Sequence, residues 1–301
     1  MNGAKPMNHS SRIRFSRLFN FVVSAVVFVF DVLRDLLLKI SVGKPPGTCV
    51  VLYYHSIPTE QRALFASQLD SINRMAKVVD VTQEIMIEPG VRHIGITFDD
   101  AFENFVSEAL PELQKRRVPA TLFVITGALG KSFGPSNAPE RVMTVSQLRG
   151  LPPDLISIGS HTVTHPYLPE LDDLAARREL TESKSELEQI LGRETSAFSF
   201  PFGGFTDHLV ELANEAGYRS IFTTLPRFAF SNGSPASTIG RVRVDATDWP
   251  LESRLKFAGA YRWLPLAMYL KGRFKKLWKS RVKNSDTARV RSQIQIDQPS
   301  Q

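Results

Sequence analysis

From residue 48 onward, the apolar residues of the chain follow two recurring patterns. Short continuous apolar runs, which predict buried strands, cover residues 48–54, 77–81, 93–98, 120–125, 155–159, 197–200, 220–223 and 239–244. Segments with helical spacing lie between most of them, over residues 62–75, 102–116, 171–191 and 206–216. Strands that alternate with helices predict an α/β fold with a mainly parallel sheet, and about seven strands in this length favour a barrel over an open sheet.

The first 44 residues follow a different pattern. Three arginines precede an apolar run over residues 18–30, which only two polar residues interrupt. Because this run is shorter than the ~20 residues that span a bilayer, and no small-residue cleavage site follows it, we expect an uncleaved signal anchor or an interfacial helix. An alternative is an amphipathic helix that packs on the domain, since apolar residues recur at helical spacing over 32–40.

The C-terminal flank is basic and aromatic. Residues 251–283 interleave Trp263, Tyr269, Phe274 and Trp278 with lysines and arginines, which is typical of an interfacial helix. A surface helix with solvated lysines is the alternative. The predicted organisation is therefore an N-terminal segment over 1–44, a catalytic domain over 45–250, this flank over 251–283 and a disordered tail over 284–301.

Charge is distributed unevenly along the 301 residues. The net charge is +7, but residues 1–50 carry +5, residues 251–301 carry +9 and the centre carries −7. An acidic centre argues against a nucleic-acid-binding core, whereas basic flanks suit an anionic membrane surface. We therefore expect a membrane-associated protein, with the cell envelope favoured and the side of the membrane undefined. The single cysteine, Cys49, excludes an intramolecular disulfide and a multi-cysteine zinc site.

Candidate chemistry lies at two predicted strand ends. The run over 95–98 ends in the adjacent carboxylates Asp99 and Asp100, which could also be a strand end followed by a helix cap. His161 and His165 follow the run over 155–159 at a spacing typical of two metal ligands, although two surface histidines would look the same. Together, two nitrogens and one oxygen would leave coordination positions open, as in catalytic metal sites.

Three motifs resemble those of the NodB-homology polysaccharide deacetylases, carbohydrate esterases that remove N-acetyl or O-acetyl groups from glycans. They are Thr97-Phe98-Asp99-Asp100, His161-Thr162-Val163-Thr164-His165 and Phe200-Pro201-Phe202-Gly203. Tyr53-Tyr54-His55 and the segment 119–124 are similar to the exopolysaccharide-associated branch. The resemblance covers residues 48–245. It implies an irregular (β/α) barrel, here with helical basic flanks, and an acetylated polysaccharide or oligosaccharide as substrate.

The resemblance also implies roles for individual residues. Asp99 would be the general base, and the backbone amide of Phe202 would face the oxyanion. A divalent metal, expected to be zinc, would lower the pKa of its bound water to about 7. The implied metal ligands are Asp100, His161 and His165. Pro201, Asp248 and Trp249 would contact the sugar, although a buried core position is equally open for the tryptophan.

The chain departs from the family pattern at three positions. Ala101 stands where the family has glycine. The arginine that orients the base is missing from its usual place, and Arg241 or Arg243 could replace it, although each could also be a simple salt-bridge partner. The late histidine that serves as general acid has no match, so His55 is the candidate acid, with a structural histidine as the alternative.

Three functions follow from the sequence. The first is metal-dependent deacetylation of N-acetylated sugars in a cell-surface or exported polysaccharide. The second is non-catalytic glycan binding, which the absent arginine and late histidine make conceivable. The third is glycoside hydrolysis, which fits less well because adjacent residues rarely reach the ~5 to 9 Å carboxylate separation of that chemistry.

Overall fold

The computed structural model describes residues 9–230, 238–271 and 273, with side chains from residue 16 onward. The chain forms two compact units, residues 1–262 and residues 263–301. The predicted domain boundary after residue 250 therefore falls inside the first unit. The helix over Pro250–Phe257 belongs to that unit because it buries Leu255 and Phe257 there.

Seven parallel strands form a closed barrel, which confirms the predicted fold class. Ten strands occur in the described residues: β1 (Thr48–Tyr54), β2 (Lys77–Val78), β3 (Arg92–Phe98), β4 (Ala120–Val124), β5 (Ser132–Phe133), β6 (Glu140–Arg141), β7 (Ile156–Ser160), β8 (Ala197–Ser199), β9 (Ser220–Thr223) and β10 (Ile239–Arg243). The ring runs β1-β10-β9-β8-β7-β4-β3 and closes because β3 pairs with β1 along its whole length. β2 pairs with the start of β3, and β5 and β6 form a separate hairpin.

Helices surround the barrel. The α-helices are α1 (His9–Ser41), α2 (Arg62–Met75), α3 (Leu110–Arg116), α4 (Val145–Arg149), α5 (Asp173–Leu191), α6 (Asp207–Glu215) and α7 (Pro250–Phe257). α5 shows why the sequence forms them at these places. The side chain of Asp172 accepts a hydrogen bond from the amide of Ala175 (2.8 Å) at its start, and Gly192 ends it with a φ of 67°.

Burial on both faces of the strands explains their continuous apolar runs. Six of the seven residues of β1 are buried, as expected for a parallel strand inside a barrel. Phe123 and Phe222 pack inside the barrel with ring centroids 5.1 Å apart. Gly159 is required beside them, because a Cβ there would come within 2.5 Å of the Phe123 ring. The strands are thereby held in a register that brings their carboxyl ends to one edge.

The helix α1 packs on the first unit, but through its polar face. Arg17 forms an ion pair with Glu252 of α7 (2.6 Å), and Asp31 forms one with Arg262 (2.6 Å). The apolar residues over 32–40, which were expected to face the domain if the helix packed on it, are mostly exposed. None of the described helices is both long enough and apolar enough to cross a membrane.

The predictions for the C-terminal flank are only partly within the described residues. A helix is described over residues 264–271 in the second unit. Phe274, Trp278 and the tail predicted over 284–301 lie outside the described residues.

Candidate active site

A cavity of about 570 Å³ opens at the carboxyl edge of the barrel. The parallel strands bring their polar end residues to this edge: Asp99 follows β3, His161 follows β7 and His55 follows β1. The lining residues are Tyr53, His55, Asp99, Asp100, Phe102, Phe133, Gly134, Pro135, His161, His165, Phe200, Phe202, Thr224 and Arg243. The structure therefore brings together both aspartates and all three histidines that the sequence predicted.

Several non-glycine residues around the cavity have left-handed backbone conformations, with positive φ angles. Five residues there have positive φ angles without being glycine, namely Asp100 (71°), Ala101 (56°), Thr162 (69°), His165 (59°) and Phe202 (56°). Such conformations cost energy in non-glycine residues and cluster at functional sites. The turn at Asp100 also explains how two adjacent carboxylates can serve one site, because β3 ends at Phe98 and the chain is no longer extended at Asp100.

Three side chains form a compact set of metal-ligand type. The Oδ1 atom of Asp100 lies 3.6 Å from Nε2 of His161 and 3.5 Å from Nε2 of His165. One candidate ligand atom from each residue falls within 4.8 Å of the others. In the described structure, Oδ1 of Asp100 and Nδ1 of His165 are buried without a hydrogen-bond partner. Orphaned polar atoms of this kind are expected where a cation completes a site.

The electrostatics of this set fit a divalent cation. Burial raises the pKa of Asp100 to about 8, and the nearby charge of Asp99 adds to the effect. Burial also lowers the pKa of His161 to about 3 and that of His165 to about 4. Both imidazoles are therefore neutral, as ligands must be, and a bound cation would favour the ionised carboxylate of Asp100. Two nitrogens and one oxygen are a donor set that suits zinc.

Hydrogen bonds to neighbouring residues hold His161 and the loop that leads to His165 in place. Nδ1 of His161 donates to the carbonyl oxygen of Ser199 (2.7 Å), which leaves Nε2 for the cluster. The carboxylate of Glu179, on α5, accepts hydrogen bonds from the amides of Val163 (2.8 Å) and Thr164 (3.0 Å) and from the Thr164 hydroxyl (2.6 Å). Glu179 therefore fixes the loop that separates the two histidines.

Replacing Glu179 should loosen this loop. Because outer contacts of metal ligands are each worth about 10- to 100-fold in affinity, we expect Glu179→Gln to weaken Zn²⁺ binding by about tenfold, measured by competition with a chelator. Glu182→Gln is the matched control, since Glu182 is exposed on the same helix. If both variants bound Zn²⁺ with the affinity of the wild type, Glu179 would have no part in metal binding.

Asp99 forms a buried bidentate ion pair with Arg241 of β10. Nη1 of Arg241 donates to Oδ1 (2.7 Å) and Nη2 donates to Oδ2 (2.9 Å), and the arginine is fully buried. Arg241 also donates to the hydroxyls of Thr97 (3.0 Å) and Ser199 (2.6 Å). Ser199 thus contacts Arg241 through its hydroxyl and His161 through its carbonyl, and so connects the Asp99–Arg241 pair to His161.

Arg241 keeps Asp99 ionised. Burial alone would raise the pKa of Asp99, but the charge and hydrogen bonds of Arg241, together with His161 and His55, lower it to about 2. Of the two arginines considered from the sequence, Arg241 is the one that contacts Asp99. Arg243 is exposed at the cavity and pairs with Asp245 (3.3 Å). The available signal was an arginine inside an apolar strand, where it needs a buried partner.

The other predicted catalytic residues also lie at the cavity. His55 lines it beside Tyr53, with ring centroids 5.6 Å apart, and burial lowers its pKa although the charge of Asp99 opposes this. The side chain of Phe202 is 69% exposed, and its ring contacts the His165 ring edge-on at 4.5 Å. Pro201 is buried directly before it. The roles of these residues stay predictions.

Asp248 and Trp249 do not line the cavity in the described structure. The Trp249 ring contacts Phe21 (6.0 Å) and lies under the Arg17 guanidinium (4.6 Å), while Asp248 accepts a hydrogen bond from Lys256 (2.6 Å). Their position at the contact between α1 and α7 gives no support to the predicted groove role. The sequence missed other aromatic residues that do line the cavity, among them Phe102 and Phe133.

Comparison with known proteins finds similarity to the family whose motifs the sequence resembles. Residues 87–221 match the sequence model of the polysaccharide deacetylase family. YxkH of Bacillus subtilis (strain 168), which carries a provisional assignment as a polysaccharide deacetylase, is 31% identical over 157 residues, 52% of this chain and 53% of that protein. The chain spans about half the length of the curated relatives that it matches.

Two solved structures share the fold. IcaB from Ammonifex degensii aligns with a TM-score of 0.59 and 24% identity over 72% of this chain and 98% of its own. The deacetylase PplD of Streptococcus pyogenes, solved in complex with acetate, aligns with a TM-score of 0.58 and 24% identity over 70% of this chain and 98% of its own. Residues 87–221, less than half of this chain, are therefore similar to the polysaccharide deacetylase family, and the barrel has the fold of IcaB and PplD.

Proposed function

We propose that this protein uses a divalent metal to hydrolyse N-acetyl groups on the sugars of a cell-surface or exported polysaccharide. One observation carries the proposal: a buried carboxylate held ionised by Arg241 lies in the same cavity as a compact ligand set with unpaired atoms. The first group can accept a proton, and the second can hold a cation. Metal-assisted hydrolysis of an acyl group needs both.

The metal has a defined place in this proposal. Asp100, His161 and His165 would hold the cation, with zinc as the ion that this donor set suits best. When bound, it would polarise the acetyl carbonyl and lower the pKa of water. That acidification matters, because a carboxylate whose pKa is about 2 is a weak base toward ordinary water.

The residues of the chain would perform the proton transfers. Asp99 accepts a proton from the attacking water as the new C–O bond forms, and Arg241 holds the Asp99 carboxylate in place. The backbone amide of Phe202 donates a hydrogen bond to the oxygen on which negative charge develops. As the C–N bond breaks, the protonated form of His55 would donate its proton to the leaving nitrogen, giving acetate and a free amine on the sugar.

The proposal predicts metal-dependent acetate release. A panel of N-acetylated and O-acetylated oligosaccharides should yield acetate with the purified chain. Chelation should abolish the activity, and Zn²⁺ should restore it, because the proposed hydrolysis needs the cation to activate water. The His165→Ala variant, which lacks one ligand, should bind Zn²⁺ at least about 100-fold more weakly. Metal binding without acetate from any substrate would favour non-catalytic glycan binding instead.

His55→Ala tests the assignment of the general acid. Since general acid catalysis contributes about 10²- to 10⁴-fold, the variant should lose at least about a hundredfold in kcat on an N-acetylated oligosaccharide. It should lose much less on an aryl acetate ester, whose leaving group departs without a proton. A His55→Ala variant with nearly full deacetylation would show that His55 is a structural residue.

A further inference from the structure

The helix α1 faces the domain with a different side from that of an ordinary surface helix. Arg17, Ser24 and Asp31 recur every seven residues and therefore lie on one face, and this face meets the domain. Ser24 is fully buried and Asp31 is 7% exposed. Helices on the surface of a soluble domain normally turn their apolar stripe inward and their polar face outward. In α1 the face that carries these polar residues is turned inward, and Phe21 on the same side contacts Trp249.

Buried ion pairs fix this orientation. Nη2 of Arg17 lies 2.6 Å from the carboxylate of Glu252, whose side chain is 5% exposed. The guanidinium of Arg262 donates two hydrogen bonds to the carboxylate of Asp31 (2.6 and 2.7 Å). Rotating α1 to bury its apolar side would break both pairs and leave the buried carboxylate of Glu252 with only a longer contact to Lys256 (3.7 Å), which is unfavourable.

The outward face of α1 is a long apolar stripe. Its members recur at intervals of three and four residues, so they form one continuous strip, about 27 Å long at the rise of an α-helix. All of them are more than two-fifths exposed: Val22, Val26, Val29, Phe30, Leu33, Leu36, Leu37 and Ile40. A strip of this extent on a soluble protein marks a surface that contacts another apolar phase.

The charges around the stripe indicate which apolar phase this is. The sequence has Arg12 and Arg14 before it, and the exposed lysines Lys39 and Lys44 lie at its other end. Residues 1–50 carry a net charge of +5, against −7 for residues 51–250. Cations at both ends of an apolar strip complement the anionic headgroups and acyl chains of a bilayer surface, and an acidic barrel would be kept on the aqueous side.

We propose that α1 lies in the plane of an anionic membrane interface, with its apolar stripe in the lipid and the barrel attached to its polar face. The helix lies in the surface rather than across it, consistent with the finding that no described helix could span a bilayer. Arg17 contacts Asp248 and Glu252, which follow β10 at the carboxyl edge of the barrel. α1 therefore attaches the first unit to the membrane through Arg17 and Asp31, which contact Glu252 and Arg262.

Vesicle flotation with the full chain tests this proposal. The wild type should float with vesicles of phosphatidylcholine and phosphatidylglycerol in equal amounts, and more weakly with phosphatidylcholine alone. Leu33→Gln combined with Leu37→Gln should lower the affinity for the mixed vesicles at least about tenfold, because two side chains leave the lipid. The control is Leu64→Gln with Leu174→Gln, a pair of exposed leucines on α2 and α5, which should bind within about twofold of the wild type.

Each remaining outcome has a defined meaning. Both double variants should keep the melting temperature of the wild type, because all four leucines are exposed. Equal vesicle binding by the Leu33→Gln/Leu37→Gln variant and the wild type would overturn the proposal, since binding would then occur through another segment. No binding of the wild type to either vesicle would also overturn it. A lipid-free dimer that the same two substitutions dissociate would assign the stripe to a second copy of the chain.

Discussion

Asp99→Asn is expected to lower kcat for acetate release by about 10³-fold, while Zn²⁺ still binds. The amide cannot accept the proton that the ionised carboxylate takes from water, and loss of a general base typically costs 10²- to 10⁴-fold. The ligand atoms of Asp100, His161 and His165 are unchanged by this substitution. Initial rates at saturating metal and substrate, normalised to the folded fraction, measure the effect.

Two comparisons make this result specific. Asp245→Asn removes an exposed carboxylate that pairs with Arg243 at the rim of the cavity, and it should stay within about threefold of the wild-type kcat, as surface changes do. Asp99→Asn also weakens the pair with Arg241, so its melting temperature should fall. If the Asp99→Asn variant retained more than a tenth of wild-type kcat, Asp99 could not be the general base.

Arg241→Met should lower the free energy of unfolding by about 3–5 kcal/mol, because it leaves the buried carboxylate of Asp99 without its partner. Chemical denaturation of the metal-free protein at pH 7 measures this loss. Arg241→Lys keeps the charge but not the bidentate contact, so the free energy of unfolding of this variant should lie between those of the wild type and Arg241→Met. Arg243→Met, at an exposed site, should change stability by no more than about 0.5 kcal/mol.

The pH dependence of stability distinguishes loss of the ion pair from loss of packing. In the wild type the pKa of Asp99 is about 2, below its ordinary value of 3.8, so this carboxylate stabilises the fold above pH 3.8 and ceases to do so as the pH falls toward 2. In Arg241→Met, burial would be opposed only by His161 and His55, so the pKa of Asp99 should rise. The variant should therefore lose stability, relative to the wild type, as the pH rises through that raised value. A pH-independent difference would attribute the effect of Arg241 to packing alone.

Much of the fold could be predicted because parallel strands buried on both faces leave a clear sequence pattern. The run over 93–98 became β3, and Asp99 and Asp100 lie at its carboxyl end as expected. The sequence also indicated that His161 and His165 lie close together, since both follow β7 in the chain. What the sequence could not show is how β3 closes on β1 and thereby brings residues far apart in the chain to one edge.

The residues whose surroundings the sequence did not reveal depend on long-range contacts. Arg241 lies 142 residues after Asp99, and their contact follows from the barrel closure rather than from any local pattern. Trp249 and Asp248 resembled a sugar groove, but α1 contacts them instead. The orientation of α1 was hidden for the same reason, because its buried partners, Glu252 and Arg262, come more than 200 positions later.

Titration of activity with metal tests the central claim most directly. The metal-free chain receives increasing Zn²⁺, and acetate and free amine are both measured on an N-acetylated oligosaccharide. The account predicts that the two products appear in equal amounts, that the rate rises linearly and that it saturates at one Zn²⁺ per chain, since Asp100, His161 and His165 form a single site. A rate that does not depend on the metal, or saturated metal binding with neither product on any acetylated glycan, would contradict it.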